Sequence, residues 1–247
     1  MIEPGSTRRQ RLREHTEREL TQAALAEVRE RGASAVTLRG VARRVGMSPA
    51  GLYRYVDSRD GLLTWLIADR FDAYADHLEA ALREVASDGP VTRLRAVAFA
   101  YREWAVANPN AFGLIFGDPI PGYAAPQDGP TTTAMTRLGT ALATPLLEAH
   151  ERGVLHVPVA LGSEELAPAM APMVRLAGEL PHGVYALLLL SWGRLHGQVS
   201  LEVFGHHDWL MPDGCEPLYR AEVETIIAQL GLDAAGTPGP EDAGDAD

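Results

Sequence analysis

The fold is decided by residues 37–62, which read TLRGVARRVGMSPAGLYRYVDSRDGL. Helical periodicity predicts a short helix from Thr37, whose hydroxyl can accept a hydrogen bond from a free N–H group of the first turn. Gly46 ends that helix and permits a tight turn. Ser48 can cap a following helix, with Pro49 at its first position, where a missing N–H group costs nothing. Two short helices at this spacing indicate a helix-turn-helix motif.

The second helix of the motif is predicted over residues 48–56 and presents Tyr53, Arg54 and Tyr55 in succession. The N-terminus of such a helix favours phosphate through its free N–H groups and its dipole. Phenolic hydroxyls and a guanidinium group suit contacts with phosphates and base edges. The pattern therefore predicts double-stranded DNA as a partner, although Tyr53 or Tyr55 could instead pack against the first helix of the chain.

Outward from the motif, apolar residues repeat with the period of helices, and no segment alternates convincingly like a strand. Leu20, Ala24 and Val28 share one face of a first helix that ends near Gly32. Further helices are predicted to begin at Ser58 and to span residues 91–107, 112–116, 131–152, 163–176, 181–204 and 217–230. Residues 153–162 are ambiguous and could be extended. We predict an all-α fold, with a three-helix N-terminal head joined to a larger helical C-terminal body.

The charge of the chain is divided unevenly between its two parts. Residues 1–60 hold 12 arginines and 8 acidic residues (+4), whereas residues 61–247 hold 10 arginines and 25 acidic residues (−15), which gives the net charge of −11. A basic head on an acidic body favours docking on DNA by the head alone. We predict a DNA-binding domain at 1–62, a body at 63–230 and a disordered acidic tail at 231–247.

Further arginines flank the motif. Four of them could form a basic arm along DNA or a disordered, solvated tail: Arg8, Arg9, Arg11 and Arg13. Arg43 and Arg44 end the first helix of the motif, where they could contact DNA or interact favourably with the C-terminal end of the helix dipole.

The motif resembles that of the TetR family of bacterial transcriptional repressors, and the matching segments are TLRGVA (37–42), VGMS (45–48), LYRYV (52–56) and SRDGL (58–62). The resemblance implies an all-helical homodimer with a DNA-binding head and a ligand-sensing body. It also implies DNA contacts by the following residues: Thr37, Arg39, Ser48, Pro49, Ala50, Gly51, Tyr53, Arg54 and Tyr55. Where the family usually has Phe-Lys before the fourth helix, this chain has Val56-Asp57, and Arg59 can replace the phosphate contact.

A second segment, SWGRLHG at residues 191–197, resembles the Trp–His–Gly signature of one TetR-type C-terminal domain, called WHG. The segment NPNAF at residues 108–112 also resembles that group. The two matches imply the architecture of the body and not the identity of its ligand.

Motifs of catalysis are absent from the sequence: it contains no G-x-S-x-G elbow, Walker loop, H-E-x-x-H or C-x-x-C. Its single cysteine, Cys215, excludes an internal disulfide and a multi-cysteine zinc site. His206, His207 and Asp208, one turn after Glu202, could hold a metal or could simply end a helix. We expect no enzymatic activity, no cofactor and no metal.

The body carries adaptable apolar side chains that could border an effector pocket or form ordinary core. The candidates are Trp104, Phe112, Phe116, Met135, Tyr185, Trp192 and His196. We expect the pocket between the helices near residues 94–107, 131–150 and 181–200. His196, one turn from Trp192, could orient a ligand or be a hydrogen-bonded core histidine.

No apolar run approaches the ~18–20 residues of a membrane span, and the N-terminus lacks a secretory segment. We therefore expect a cytoplasmic protein without a membrane partner. Because the leucines at 187–190 run around more than one helix face, the helices at 181–204 and 217–230 are predicted to form a four-helix dimer interface.

The predicted function is transcriptional repression that an apolar or amphipathic small molecule relieves. Two alternatives stay open at this point. The first is a DNA-binding dimer without an effector, and the second, less favoured, is an enzyme that uses the helical body as its substrate site.

Overall fold

The computed structural model describes residues 8–171 and 181–232, and within these ranges every regular element is helical. The α-helices are α1 (Arg8–Arg31), α2 (Leu38–Arg44), α3 (Pro49–Leu52), α4 (Arg59–Glu84), α5 (Pro90–Ala107), α6 (Pro109–Phe116), α7 (Pro130–Glu151), α8 (His182–Val203) and α9 (Glu216–Gln229). Short 3₁₀ turns lie at Ala33–Ala35 and Val159–Gly162. The predicted all-α class is confirmed.

The chain divides into two compact units. The head unit draws on Met1–Ala73 and Asn108–Met135, and the body unit draws on Tyr74–Ala107 and Thr136–Asp247. This division differs from the predicted boundary after residue 62, because α6 packs against α1 and the first half of α4 belongs to the head unit.

Apolar side chains on the inner faces of the helices hold the head unit together. Leu20 and Ala24 of α1 are fully buried, as are Val36, Val41 and Leu52. Val36 and Val41 stand on either side of the first turn of α2, which is the spacing of a hydrophobic staple. Each such leucine or valine contributes roughly 1.5–3 kcal/mol when it leaves water, so this core fixes the helix-turn-helix.

In the body unit, α8 packs against α5, α9 and the turn Val159–Gly162. Tyr74 of α4 stacks on Tyr101 and Trp104 of α5, with ring centroids 5.0 and 4.0 Å apart. Arg102 donates to both carboxylate oxygens of Glu202 at 2.8 and 2.6 Å, which joins α5 to α8. These contacts determine which faces of α5 and α8 turn toward each other.

Some predicted boundaries are wrong. α3 ends at Leu52 rather than at residue 56, because the N–H group of Tyr55 bonds to the Leu52 carbonyl in a turn. The ambiguous segment 153–162 contains a 3₁₀ turn and no strand. Of the helix predicted at 163–176, residues 163–166 form a turn instead, residues 167–171 are helical, and residues 172–176 lie outside the described residues.

The predicted disordered tail begins too early. Leu232 is buried, and its N–H group donates to the Ile227 carbonyl at 3.2 Å. Leu232 therefore packs with α9, and the remaining residues of the predicted tail, 233–247, lie outside the described residues.

Candidate nucleic-acid interface and effector cleft

Two side-chain caps fix where α2 and α3 begin. The Thr37 hydroxyl accepts a hydrogen bond from the Gly40 N–H group at 3.1 Å, and the Ser48 hydroxyl accepts one from the Gly51 N–H group at 3.1 Å. Between the helices Gly46 has a φ of 68°, a left-handed conformation that favours glycine. The predicted caps and turn are confirmed, and they determine which side chains of the motif face outward.

The outward side chains form one exposed set, which we call the α2–α3 surface: Thr37, Arg39, Ser48, Pro49, Ala50, Tyr53 and Arg54. Gly51 and Tyr55 are half-buried beside it. Tyr53 is 56% exposed, so more than half of its surface is available for a contact with DNA. Tyr55 stays compatible with either role.

Tyr53, Arg54 and Tyr55 follow α3 instead of lying within it. Tyr53 is the C-cap residue, and its N–H group donates to the Pro49 carbonyl at 3.1 Å.

Arg44 is bound within the head unit. Its guanidinium donates to Glu27 of α1 at 3.0 and 3.2 Å and to Glu30 at 2.6 and 3.1 Å. The hydrogen bonds from Arg44 lower the pKa of the Glu30 carboxyl. These contacts support neither of the two roles left open by the sequence, which were DNA contact and interaction with the helix dipole. They indicate instead that Arg44 joins α1 to α2.

Arg59, the residue that was expected to replace a phosphate contact, directs its guanidinium into the head unit. Nε donates to the Val36 carbonyl at 3.2 Å, and Nη2 donates to the Ser34 carbonyl at 3.0 Å. A weaker bond of 3.5 Å joins Nη2 to the Ala33 carbonyl.

The arginines before the motif are helical from Arg8 onward, because α1 begins there. Arg13 donates to Glu17 at 2.8 Å, one turn along the helix. The alternative of a disordered tail therefore does not hold for residues 8–13, and any contact of these arginines with DNA would be made from a helix.

The body unit contains a narrow cleft between α5, α7, α8 and α9. Its volume is about 40 Å³, little more than the ~30 Å³ that one water molecule occupies in the liquid. Apolar and aromatic side chains dominate its lining, and examples from the four helices are Val97, Tyr101, Leu146, Leu188, Trp192 and Ile226. No lining residue is charged. Three of the four helices are those expected to border a pocket.

Polar atoms meet where α5 and α8 face each other. The Tyr101 hydroxyl lies 2.7 Å from Nδ1 of His196 and accepts a bond from Trp192 Nε1 at 3.3 Å. Nε2 of His196 lies 3.3 Å from the Ser200 hydroxyl. Burial lowers the pKa of His196 and raises that of Tyr101, so both side chains are uncharged at neutral pH.

The structure separates the predicted pocket residues. Trp192 lines the cleft, and His196 bonds to Tyr101 beside it. Two others are buried elsewhere in the body unit: Trp104 stacks on Tyr74, and Tyr185 is 1% exposed. Phe112, Phe116 and Met135 belong to the head unit and do not line this cleft.

Sequence reasoning missed Tyr101 as a lining residue. The signal was present, because Tyr101 follows Val97 and Ala98 by one helical turn and shares their face of α5.

Two of the side chains considered for a metal, Glu202 and His207, contact other groups of the chain. Glu202 binds Arg102, and Nδ1 of His207 lies 3.6 Å from the Cys215 sulfur. No group of three or more metal-binding side chains occurs in residues 8–171 and 181–232. In that same part of the chain, no helix has the length and apolar character needed to cross a bilayer.

Comparison with known proteins agrees with this geometry. The family model described as "Bacterial regulatory proteins, tetR family" matches residues 20–64, and the one described as "Tetracyclin repressor-like, C-terminal domain" matches residues 94–226, which include the 191–197 segment. The HTH-type transcriptional regulator Rv1816 of Mycobacterium tuberculosis is 31% identical over 233 residues, 90% of this chain and 95% of that protein.

Solved structures show the same fold. The crystal structure of the regulatory protein SCO4313 is 31% identical, covers 90% of this chain and 100% of its own, and has a TM-score of 0.72. A Rhodococcus sp. RHA1 protein of unknown function, at 21% identity, covers 87% of this chain and 94% of its own, with a TM-score of 0.65. The chain therefore belongs to the TetR family of DNA-binding transcriptional regulators.

Proposed function

We propose that this regulator is a repressor that binds its operator as a homodimer and is released by an uncharged, apolar small molecule. The observation that carries the proposal is the α2–α3 surface, which exposes Arg39, Tyr53 and Arg54 around two capped helix starts. Two such surfaces in a dimer would enter the major groove about one DNA turn apart. Because the partner is chromosomal DNA, the proposal locates the protein in the cytoplasm and assigns it no enzymatic role.

An exposed apolar face on α8 supports the dimer. Leu190, Leu201 and Phe204 are 56%, 41% and 44% exposed, and their spacing puts them on one side of the helix. Between them a Cβ added at Gly193 or Gly197 would meet no atom within 4 Å, so another helix can approach closely. The proposed occupant of this face is α8 of a second copy, with Leu218 of α9 beside it.

The proposed interface has little charge available for a partner. Arg194 of α8 donates to Glu222 at 2.6 Å and to Gln229 at 2.5 Å, both on α9 of the same chain. Because Arg194 is already paired within its own chain, the apolar face can meet an identical face of a second copy, as a two-fold symmetric interface requires.

The lining of the cleft supports an uncharged effector. A carboxylate or an ammonium group between α5, α7, α8 and α9 would lose its hydration without meeting an opposite charge, which is strongly unfavourable. Because pockets for small molecules typically measure ~300–1,000 Å³, the effector must separate these helices as it enters. It would then stabilise an opened body that differs from the DNA-binding one, as a population shift requires.

Contacts within the body unit supply a route from the cleft to α4. Tyr101 lines the cleft, and Tyr74 of α4 stacks on its ring and donates a hydrogen bond to its carbonyl. Opening the cleft at Tyr101 would therefore displace α4, the helix that also carries Arg59. The coupling would be reciprocal: operator DNA would lower the affinity for the effector by the same factor by which the effector lowers the affinity for DNA.

The small volume of the cleft favours a second candidate, a DNA-binding dimer without an effector. One set of titrations separates the two. Fluorescence anisotropy would compare a duplex from the DNA flanking the protein's own coding region with a scrambled duplex, in the presence of 1-octanol, octanoate or octylammonium. We expect preference for the flanking duplex and release by 1-octanol alone. Release by the charged compounds would contradict the uncharged effector, and release by none would favour the second candidate.

A further inference from the structure

The position of Arg59 at the start of α4 is unusual for a cation. Arg59 is the first residue of the helix, where the free N–H groups and the dipole disfavour positive charge. Its side chain is only 30% exposed and turns back toward the loop between α1 and α2. An unfavourable position for a charge indicates that the guanidinium makes compensating contacts.

Besides a long ion pair between Nη1 and Asp60 at 3.7 Å, those contacts are the carbonyls at the end of the 3₁₀ turn Ala33–Ala35. The Val36 and Ser34 carbonyls receive charge-assisted hydrogen bonds from Nε and Nη2 at 3.2 and 3.0 Å, across 23 and 25 residues of sequence. Carbonyls at the end of a helical turn have no backbone N–H donor within the turn. The Arg59 guanidinium supplies these donors.

The loop that Arg59 holds, which we call the clamped loop, leads directly into α2. Val36 is buried, and the next residue, Thr37, caps the helix with its hydroxyl 3.1 Å from the Gly40 N–H group. At the other end of the clamp, the Ser58 hydroxyl accepts a bond from the Gly61 N–H group at 2.9 Å and so fixes the start of α4. The first turns of α2 and α4 are therefore joined through one side chain.

We infer that Arg59 is a positioning residue for DNA binding, which ties the α1–α2 loop and the start of α2 to the first turn of α4. This inference rests on the proposed function, because it concerns how the α2–α3 surface is positioned for the operator. In this role the loop follows any displacement of the first turn of α4. Phosphate contact, the role expected from the sequence, would require the same guanidinium to face outward.

Lysine distinguishes the two roles. Its ammonium keeps the charge that a phosphate needs but has no planar fork to reach two carbonyls at once. We expect Arg59→Lys and Arg59→Gln to weaken operator binding alike, by about tenfold. The slope of log Kd against log salt should keep its wild-type value, because no phosphate contact is lost. For a phosphate contact, Arg59→Lys would bind like wild type and Arg59→Gln would change the slope by about 0.9 per contact.

Arg39 provides the matched control, as an exposed arginine of the α2–α3 surface. If it binds phosphate, Arg39→Lys keeps affinity while Arg39→Gln changes the salt slope. Circular dichroism would give the folded fraction of each variant, and an Arg59 variant whose affinity per folded molecule equals wild type would overturn the inference. So would an Arg59→Lys variant that binds fully.

A measurement on the wild-type protein does not depend on how the variants fold. The Nε–H resonance of Arg59, identified by its loss in Arg59→Lys, should exchange slowly with solvent and keep its chemical shift when operator DNA is added. A fast-exchanging resonance that shifts strongly on DNA addition would overturn the inference. If this resonance behaves as expected but the protein shows no operator preference, the proposed function is refuted. The hydrogen bonds between Arg59 and the α1–α2 loop would still stand.

Discussion

Replacing Arg44 by methionine tests whether this arginine holds the head unit together or contacts DNA. The Glu27 side chain is 6% exposed and receives two hydrogen bonds from Arg44 on Oε1. Methionine fills much of the volume but leaves the buried carboxylate with only the exposed Arg31 as counter-charge, 3.8 Å from Oε2. Complete loss of the partner costs about 3–5 kcal/mol in fully buried pairs. Because the Arg44 side chain is 33% exposed, water can partly replace it, and we expect a loss of about 2 kcal/mol.

Thermal unfolding followed by circular dichroism measures this loss. A change of about 2 kcal/mol lowers the Tm by roughly 4–8 °C for a chain of this size. The exposed neighbour Arg43 gives the control, since Arg43→Met should change stability by less than about 0.5 kcal/mol. A second substitution, Glu27→Gln, should restore part of the stability of Arg44→Met, because a buried amide costs less than a buried charge.

The reasoning is refuted if Arg44→Met melts at the wild-type temperature while the slope of log Kd against log salt changes by about 0.9 per contact. That pair of results would mean that Arg44 neutralises a phosphate and that its contacts with α1 contribute little.

Three further predictions concern the cap of α3, the dimer face and the histidine beside the cleft. Ser48→Ala removes the acceptor of the Gly51 N–H bond and should lower the free energy of unfolding by ~1 kcal/mol, measured by urea titration. Leu201→Arg puts a charge on the exposed face of α8 and should yield a 26.6 kDa species by sedimentation at micromolar concentration, where wild type sediments as a dimer. Burial lowers the pKa of His196 below 6.5, so its folded state binds a proton less readily than the unfolded one, and stability should fall as the pH drops below about 6.5. Urea midpoints at pH 7.5 and 5.5 should show a smaller difference in His196→Gln than in wild type.

The parts of the fold that depend on neighbouring residues were predictable from the sequence. The caps at Thr37 and Ser48 follow from hydroxyl side chains next to helical apolar patterns, and Gly46 supplies the left-handed turn between them. The end of α3 at Leu52 was not predictable in this way. A helix of this length is decided by how the following turn packs, and the apolar pattern continues past it to Val56.

Contacts between distant parts of the chain carry the information that the sequence lacked. Arg59 meets carbonyls 23 and 25 residues earlier, and nothing in its own neighbourhood distinguishes this use from a phosphate contact. The sequence indicated three of the four helices that border the cleft but not the side chains that line it. Periodicity shows that α5 has apolar faces, but only the packing of α7, α8 and α9 selects Tyr101 for the cleft and leaves Trp104 against Tyr74.

The most direct test of the account is operator binding by Arg54→Ala and Tyr53→Ala across a range of salt concentrations, with the folded dimer verified by sedimentation. Both side chains lie on the exposed α2–α3 surface, so both variants should bind more weakly than wild type. A lost base contact should cost ~1–3 kcal/mol at one operator position, and a lost phosphate contact should weaken all sequences alike and lower the salt slope by ~1. Wild-type affinity and wild-type salt slope in both variants would contradict the assignment of this surface to DNA.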